Sequence, residues 1–401
     1  MRFLVGLDDT DSSRGFCTTY LAYRIAADLR PDVKVLPYPR LVRLNPNIPF
    51  KTRGNAAVCL SIEARDPDQA FELVSSKVVE LSDVAGGANT GMVFLEDFNP
   101  LSVFRELYQE ALTGLVSPHR VRRMLKANGV RTLELGNGMG IVGATSSLGF
   151  DERFDHTYEL ISYRRARAWG SRRIIDSSSV RKMDAATFPN TFNNYDYQKR
   201  KVLIAPHGPD PVFVGIRGDS PSTVLRALRM VEFDEELQGH MIYASNQHTE
   251  AHLQKKLDWK VFSSGWIEGT VVDVEIGAGG HTYFTLQAPG GKRRVAAYEP
   301  TGDLRRTCRL LRPGDRVRAY GGVRRPSSRH PSILNLEKLE VVRLAGTNRV
   351  LVKGTYIASP RANRHLTKPL IRHGREVFGP SPPIDGWLAT ARSERALARS
   401  R

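Results

Sequence analysis

The alternation of apolar and polar positions marks out most of the regular structure. Phe3-Leu4-Val5-Gly6-Leu7 is an unbroken apolar run, the pattern of a strand covered on both faces. Leu21, Ile25 and Leu29 follow at helical spacing, and residues 33–36 restart a strand. Residues 56–62 read as a buried strand and 71–81 as a helix, with further helices predicted around 100–114 and 117–128. Between them, 37–55 is punctuated by Pro37, Pro39, Pro46 and Pro49 and reads as a long irregular connection. Glycine-rich turns at 86–91 and 136–140 each lead into an apolar segment.

The pattern changes around residues 140–155. Residues 158–163 alternate like a strand, with further strands predicted at 202–205 and 212–216 and helices at 222–230 and 250–257. This strand–helix–strand rhythm suits a small ferredoxin-like α+β module. From about 259 the pattern is all-β: segments at 265–276, 281–287, 293–299, 316–320 and 333–343, with a short helix at 302–311 between the third and fourth. Five strands with a helix in that place describe an OB-fold barrel. The chain therefore reads as a multidomain α+β protein, divided as 1–142, 143–258, 259–345 and a basic C-terminal tail over 346–401.

Composition narrows the class. At 401 residues, 41% hydrophobic and 25% charged, the chain is globular. It has no apolar stretch of membrane-spanning length and no secretory leader, so a cytoplasmic protein without membrane partners is expected. A formal net charge of +17 points to a polyanionic partner. Cys17, Cys59 and Cys308 are too far apart for a disulfide framework or a Cys-x-x-Cys knuckle, and no cysteine follows Cys308.

The densest chemistry directly follows the first strand. Asp8, Asp9 and Asp11 fall within four positions, then Thr18 stands where a helix begins. Crowded carboxylates repel one another unless a cation lies between them, and hard oxygen ligands suit Mg²⁺. A helix N-terminus favours phosphate. The plainer reading is an Asx turn followed by a threonine cap. Asp9-Thr10-Asp11 also resembles the Asp-x-Asp start of haloacid-dehalogenase-type phosphatases, although nothing downstream supplies the rest of that pattern. Arg53-Gly54-Asn55 and Asn89-Thr90-Gly91 are loop segments suited to phosphate, and no P-loop spacing with Lys-Ser/Thr occurs. Five arginines, Arg164 among them, crowd positions 164–173 beside Tyr163 and Trp169. The barrel segment carries Arg293, Arg294, Arg316, Arg318 and Arg324 with Tyr283, Phe284, Tyr298 and Tyr320, a composition for an RNA groove in which some aromatics must serve the core.

These motifs resemble, in order, the archaeal 2-agmatinylcytidine synthetases. The resemblance is carried by Val5 to Ser12, Cys17 to Leu21, Pro39 to Pro46, Lys51 to Asn55, Glu159 to Arg164, Gly215 to Gly218 and Arg364 to Leu370. It implies a kinase-like module, a ferredoxin-like domain and an OB-fold. It also implies ATP-driven attachment of agmatine to C2 of the wobble cytidine of an isoleucine tRNA with a CAU anticodon. On this resemblance Asp8, Asp9 and Asp11 hold Mg²⁺ and the ATP phosphates, and Thr18 matches an autophosphorylated threonine. Agmatine falls to the ferredoxin-like domain, with Asn246, Thr249 and His252 as candidates. Arg364, His365 and Lys368 join the barrel arginines as RNA-binding candidates. The family's zinc ribbon, two cysteine pairs after the barrel, has no counterpart here, so no zinc is expected. That departure leaves open a paralogue acting on another RNA or amine, or a noncatalytic tRNA-binding protein.

Overall fold

In the computed structural model the described residues are 1–345, apart from Arg30, Thr52, Arg53, Gln198, Lys199, Arg329 and His330, together with the backbone of three short strands beyond them. The chain forms two compact units, Met1–Ala251 and His252–Arg401.

The first unit opens with β1 (Arg2–Asp8), α1 (Thr18–Asp28), β2 (Lys34–Val35), β3 (Arg40–Arg43), β4 (Ala56–Glu63) and α2 (Pro67–Glu80). Next come β5 (Gly91–Leu95), α3 (Leu101–Thr113), α4 (Pro118–Ala127), β6 (Arg131–Glu134) and α5 (Ile141–Leu148). It continues through β7 (Thr157–Arg164), α6 (Ser177–Thr187), β8 (Thr191–Phe192), β9 (Tyr195–Asp196) and β10 (Lys201–Val202). It closes with β11 (Val212–Gly218), α7 (Pro221–Arg229) and β12 (Leu237–Ser245). One ten-stranded sheet spans the unit in the order β6-β5-β1-β4-β3-β12-β7-β11-β8, with β2 beside β4. The segments divided at 142/143 in the sequence share this sheet, through a short parallel pairing of Ala244 with Arg40 and Ser245 with Leu41.

Strand β1 is central, and its alternation sorts two cores. Phe3, Val5 and Leu7 pack with Leu21 and Ile25 of α1 and Val74 and Val78 of α2. On the opposite face Leu4 packs with Phe104, Leu107 and Leu148 of α3 and α5. Helix α5 lies close on that face because Gly6 has no side chain: a Cβ there would sit 2.1 Å from the Ala144 carbonyl oxygen.

Three expectations are corrected. Residues 37–55 are not wholly irregular, since β3 lies between the prolines and pairs with β4. The strand expected at 202–205 is only Lys201–Val202. The helix expected over 250–257 is a single 3₁₀ turn, Ala251–Leu253, after positive φ at His248 and Glu250 interrupts helical geometry.

The second unit contains β13 (Ser264–Ile276), β14 (Thr282–Ala288), β15 (Gly291–Ala297), α8 (Asp303–Arg309), β16 (Arg316–Arg324) and β17 (Ile333–Arg343). Antiparallel pairs run β15-β14-β13-β16-β17, and a parallel pairing of β15 with β17 closes the barrel. Helix α8 falls between the third and fourth strands, the OB arrangement. Phe284, Leu286, Val317 and Leu334 fill the interior. Of the barrel aromatics only Phe284 is core; Tyr283, Tyr298 and Tyr320 lie half-buried. No helix among the described residues is long and apolar enough to cross a membrane.

Candidate active site

The acidic loop leaves β1 at the sheet's centre and is tied down on both sides. Asp8, the strand's last residue, shares the α5-facing side with Leu4 and Gly6. Its carboxylate packs against Gly143, where a Cβ would come within 1.8 Å of Oδ2. Asp9 turns the chain with φ 55 and donates its N–H to Asp8 Oδ1 at 2.8 Å. A left-handed aspartate is sterically costly and marks a loop held in shape by its surroundings. Thr90 Oγ1 supplies part of that hold, donating to the Asp9 carbonyl at 3.1 Å. Thr10 Oγ1 donates to Thr18 Oγ1 at 3.0 Å, linking the loop to the first turn of α1. Farther along, Ser12 and Gly15 pair across a tight turn. Ser12 donates to Asp83 at 2.5 Å and Arg14 pairs with it at 3.1 Å, which together hold the Asp83 carboxyl below its ordinary range.

The acidic residues are shared between two cavities. Asp8 lines one together with Asn55, Phe50, Leu115, Met139 and Val142, a largely apolar slot of ≈60 Å³. Asp11 and Thr18 line the other, a cavity of ≈250 Å³ that also takes Cys17, Arg43, Gly54, Glu159, Asp210 and Arg217.

Electrostatics differ across the loop. Loss of water around the carboxyl, then the charges of Asp9 and Asp11, push Asp8 well above the usual carboxylate range. A cation bound there would relieve both effects. Among the described residues no three His, Cys, Asp or Glu side chains form a metal cage. Mg²⁺ does not require one, because it binds through one or two carboxylates and completes its shell with phosphate and water. The all-oxygen donor set fits that ion. Within the second cavity Glu159 shows the opposite shift. Burial alone would raise it, but Arg217 at 3.0 Å and Arg43 at 3.4 Å outweigh burial and leave it below its ordinary range.

The residues singled out in the sequence are not all brought together. Asp8, Asp9, Asp11 and Thr18 converge, and Gly54 and Asn55 line one cavity each. Asn89, Thr90 and Gly91 buttress rather than line: Asn89 Oδ1 accepts from the Asn137 N–H at 3.1 Å, and Gly91 packs against Gly140 and Ile141. Asn246, Thr249 and His252 line neither cavity. Asn246 clasps Arg43 through the N–H at 2.7 Å and the carbonyl at 2.8 Å, Thr249 donates to the Asn246 carbonyl, and His252 pairs with Glu337 in the second unit.

Arg164 is a correction. It is 1% exposed and forks onto Glu235 at 2.6 Å with further bonds to Ser171, so it is not presented to RNA. It ends a strand covered on both faces, and its charge is satisfied inside the fold. On the barrel, Arg294 pairs with Glu275 and stacks on Tyr283, while Arg316 and Arg318 share Glu268. Arg293 lies over Trp259, and Arg324 is exposed. Arg53, Arg364, His365 and Lys368 lie outside the described residues. Glu159, Arg43 and Arg217 complete the second cavity; the sequence shows each only as a charge within an apolar strand run and gives no sign that the three meet.

Fold and site together fit a class: a nucleotide-dependent enzyme that carries a basic OB barrel. Family models describe the first unit in two parts, a TiaS TCKD domain over residues 4–137 and a TiaS FLD domain over 138–252. A 2-agmatinylcytidine synthetase TiaS of isoleucine tRNA, from Cenarchaeum symbiosum, is 42% identical over 354 residues, covering 87% of this chain and 78% of that protein. Among solved structures, a complex of TiaS with its isoleucine tRNA and ATP matches with a TM-score of 0.83 at 31% identity, covering 94% of this chain and 100% of the other. A complex of TiaS with the same tRNA, AMPCPP and agmatine matches with a TM-score of 0.80, with the same identity and coverage. The chain belongs to the TiaS family of tRNA 2-agmatinylcytidine synthetases.

Proposed function

We propose that this protein is an ATP-dependent ligase that joins agmatine to C2 of the wobble cytidine in isoleucine tRNA with a CAU anticodon, acting in the cytoplasm. The observation that carries the reading is the placement of the acidic loop between two cavities, with Asp8 in one and Asp11 and Thr18 in the other.

The aspartates of the loop suit the phosphates of ATP with Mg²⁺. Bound there, the cation neutralises phosphate charge. A pyrimidine carbonyl oxygen is a poor leaving group; phosphorylating O2 converts it into phosphate. The agmatine nitrogen then adds to C2, the C2–O2 bond breaks, and phosphate departs with the oxygen. The nitrogen must shed protons as it attacks, and a carboxylate among Asp8, Asp9 and Asp11 accepts one in this reading. Thr18 presents a hydroxyl at the start of α1, where free N–H groups favour a phosphoryl group.

The second cavity suits the acceptors. Glu159 and Asp210 offer carboxylates to a guanidinium, while the buried Nε atoms of Arg43 and Arg217 make no hydrogen bond to a described residue. Those two N–H groups remain as donors to a carbonyl or phosphoryl oxygen.

The test is incorporation of radiolabelled agmatine into the isoleucine tRNA transcript in the presence of ATP. Wild type is expected to label it, and a transcript with the wobble cytidine replaced is expected to stay unlabelled. No labelling by wild type, or equal labelling of both transcripts, overturns the assignment.

A further inference from the structure

A groove of ≈620 Å³ lies beside the polar cavity and shares Ala205 and Pro206 with it. Two buried arginines build its banks. Arg164 donates to the carbonyl and hydroxyl of Ser171 at 2.8 and 3.0 Å, fixing the bank that runs from Gly170 to Arg173. Arg173, 6% exposed, donates to the carbonyls of Pro206, Gly208, Asp210 and Val212 at 2.8 to 3.1 Å and reaches the Asp210 carboxylate at 3.3 Å, fixing the facing bank. Guanidinium forks suit this task, since a lysine could not satisfy so many acceptors in one plane. With the inner arginines committed to the loops, the groove shows outward the exposed side chains of Arg172, Lys201 and His207.

We propose that this groove carries the ribose–phosphate strand of the RNA next to the nucleotide that enters the polar cavity. The inference rests on the function proposed above. A base splayed into a pocket drags its flanking phosphates to the pocket's mouth, and here the mouth adjoins a rigid channel with cations along it. Because the banks are held by internal hydrogen bonds, the phosphates meet side chains already in place.

Binding of the isoleucine tRNA transcript across a salt series tests this. Replacing one phosphate-contacting cation flattens the dependence of log Kd on log salt by about 0.7 for a single strand. Arg172→Gln and Lys201→Gln are each expected to show that change, and the double variant about 1.4. Arg153→Gln, at an exposed arginine that does not line the groove, is expected to keep the wild-type slope. A double variant with the wild-type melting temperature and the wild-type slope overturns the groove. If that occurs while agmatine is still attached, the proposed reaction stands without it. Flattened slopes from a protein that labels no tRNA retain the groove and overturn the reaction.

Discussion

The two units handle charge in opposite ways. In the first, carboxyl groups are drawn inside: Asp8 is pressed against Gly143, and Glu159, 2% exposed, is held between Arg217 and Arg43. In the barrel, charge lies outside in mutual pairs, Arg294 with Glu275, and Arg316 and Arg318 with Glu268. Charge held in a buried site acts at short range in a low dielectric and favours one ligand in one place. Charges already met at a surface give a broad field that docks a polyanion without fixing its chemistry.

Four substitutions sharpen this contrast. The largest effect is expected from Asp8→Asn, which should lower agmatine transfer by on the order of 10³-fold, read by labelled product, while raising the melting temperature of the ligand-free protein. The pH dependence follows from the direction of the Asp8 shift. The folded chain keeps a proton that the unfolded chain loses near pH 4, so stability from this group declines as pH rises from about 4 through the folded value. Melting curves of wild type and variant should diverge over that range; parallel curves would remove Asp8 as the strained group.

Next is Arg217→Ala, which leaves Glu159 buried with Arg43 as its one ion-pair partner among the described residues. Unfolding by urea is expected to show a loss of about 3 kcal/mol or more. Glu159 is shifted downward in the folded state, so its contribution is present above its unfolded value and lost as pH falls through the folded one. The wild-type advantage over the variant should therefore shrink in acid. Asn246→Ala removes the clasp on Arg43 and should cost about 1–3 kcal/mol, with little change in the agmatine concentration for half-maximal rate. A large rise in that concentration would return Asn246 to the ligand site. Arg316→Gln is expected to change stability by less than about 1 kcal/mol but to flatten the salt dependence of tRNA binding. A loss as large as that of Arg217→Ala would erase the difference between the units.

The barrel was legible almost strand for strand, because glycine turns separate runs that alternate cleanly and because α8 is short and isolated. Strand β1 and the acidic loop were equally plain. Strand β12 was missed: Leu237-Gln238-Gly239-His240 is half-exposed and only Tyr243 to Ser245 are buried, so no period stands out. Strand β3 was hidden by its flanking prolines. Within the site, the aspartates announced themselves by crowding. Glu159 did not, since nothing local reveals that Arg43 and Arg217, far apart in sequence, converge on it. For Asn246 a lone amide in a polar turn carries no sign of the Arg43 backbone that it holds.

The pairing of β3 with β12 has a consequence for how the molecule can be divided. The two family-model segments meet near residue 137, yet the strands that unite them come from residues 40–43 and 237–245. A chain cut at that boundary would strip β3 of its neighbour and leave an unpaired row of backbone donors and acceptors beside the buried Leu41 and Val42, the sort of edge that recruits other chains. Neither fragment has a finished sheet without the other. Each half thus covers an edge that the other would leave bare.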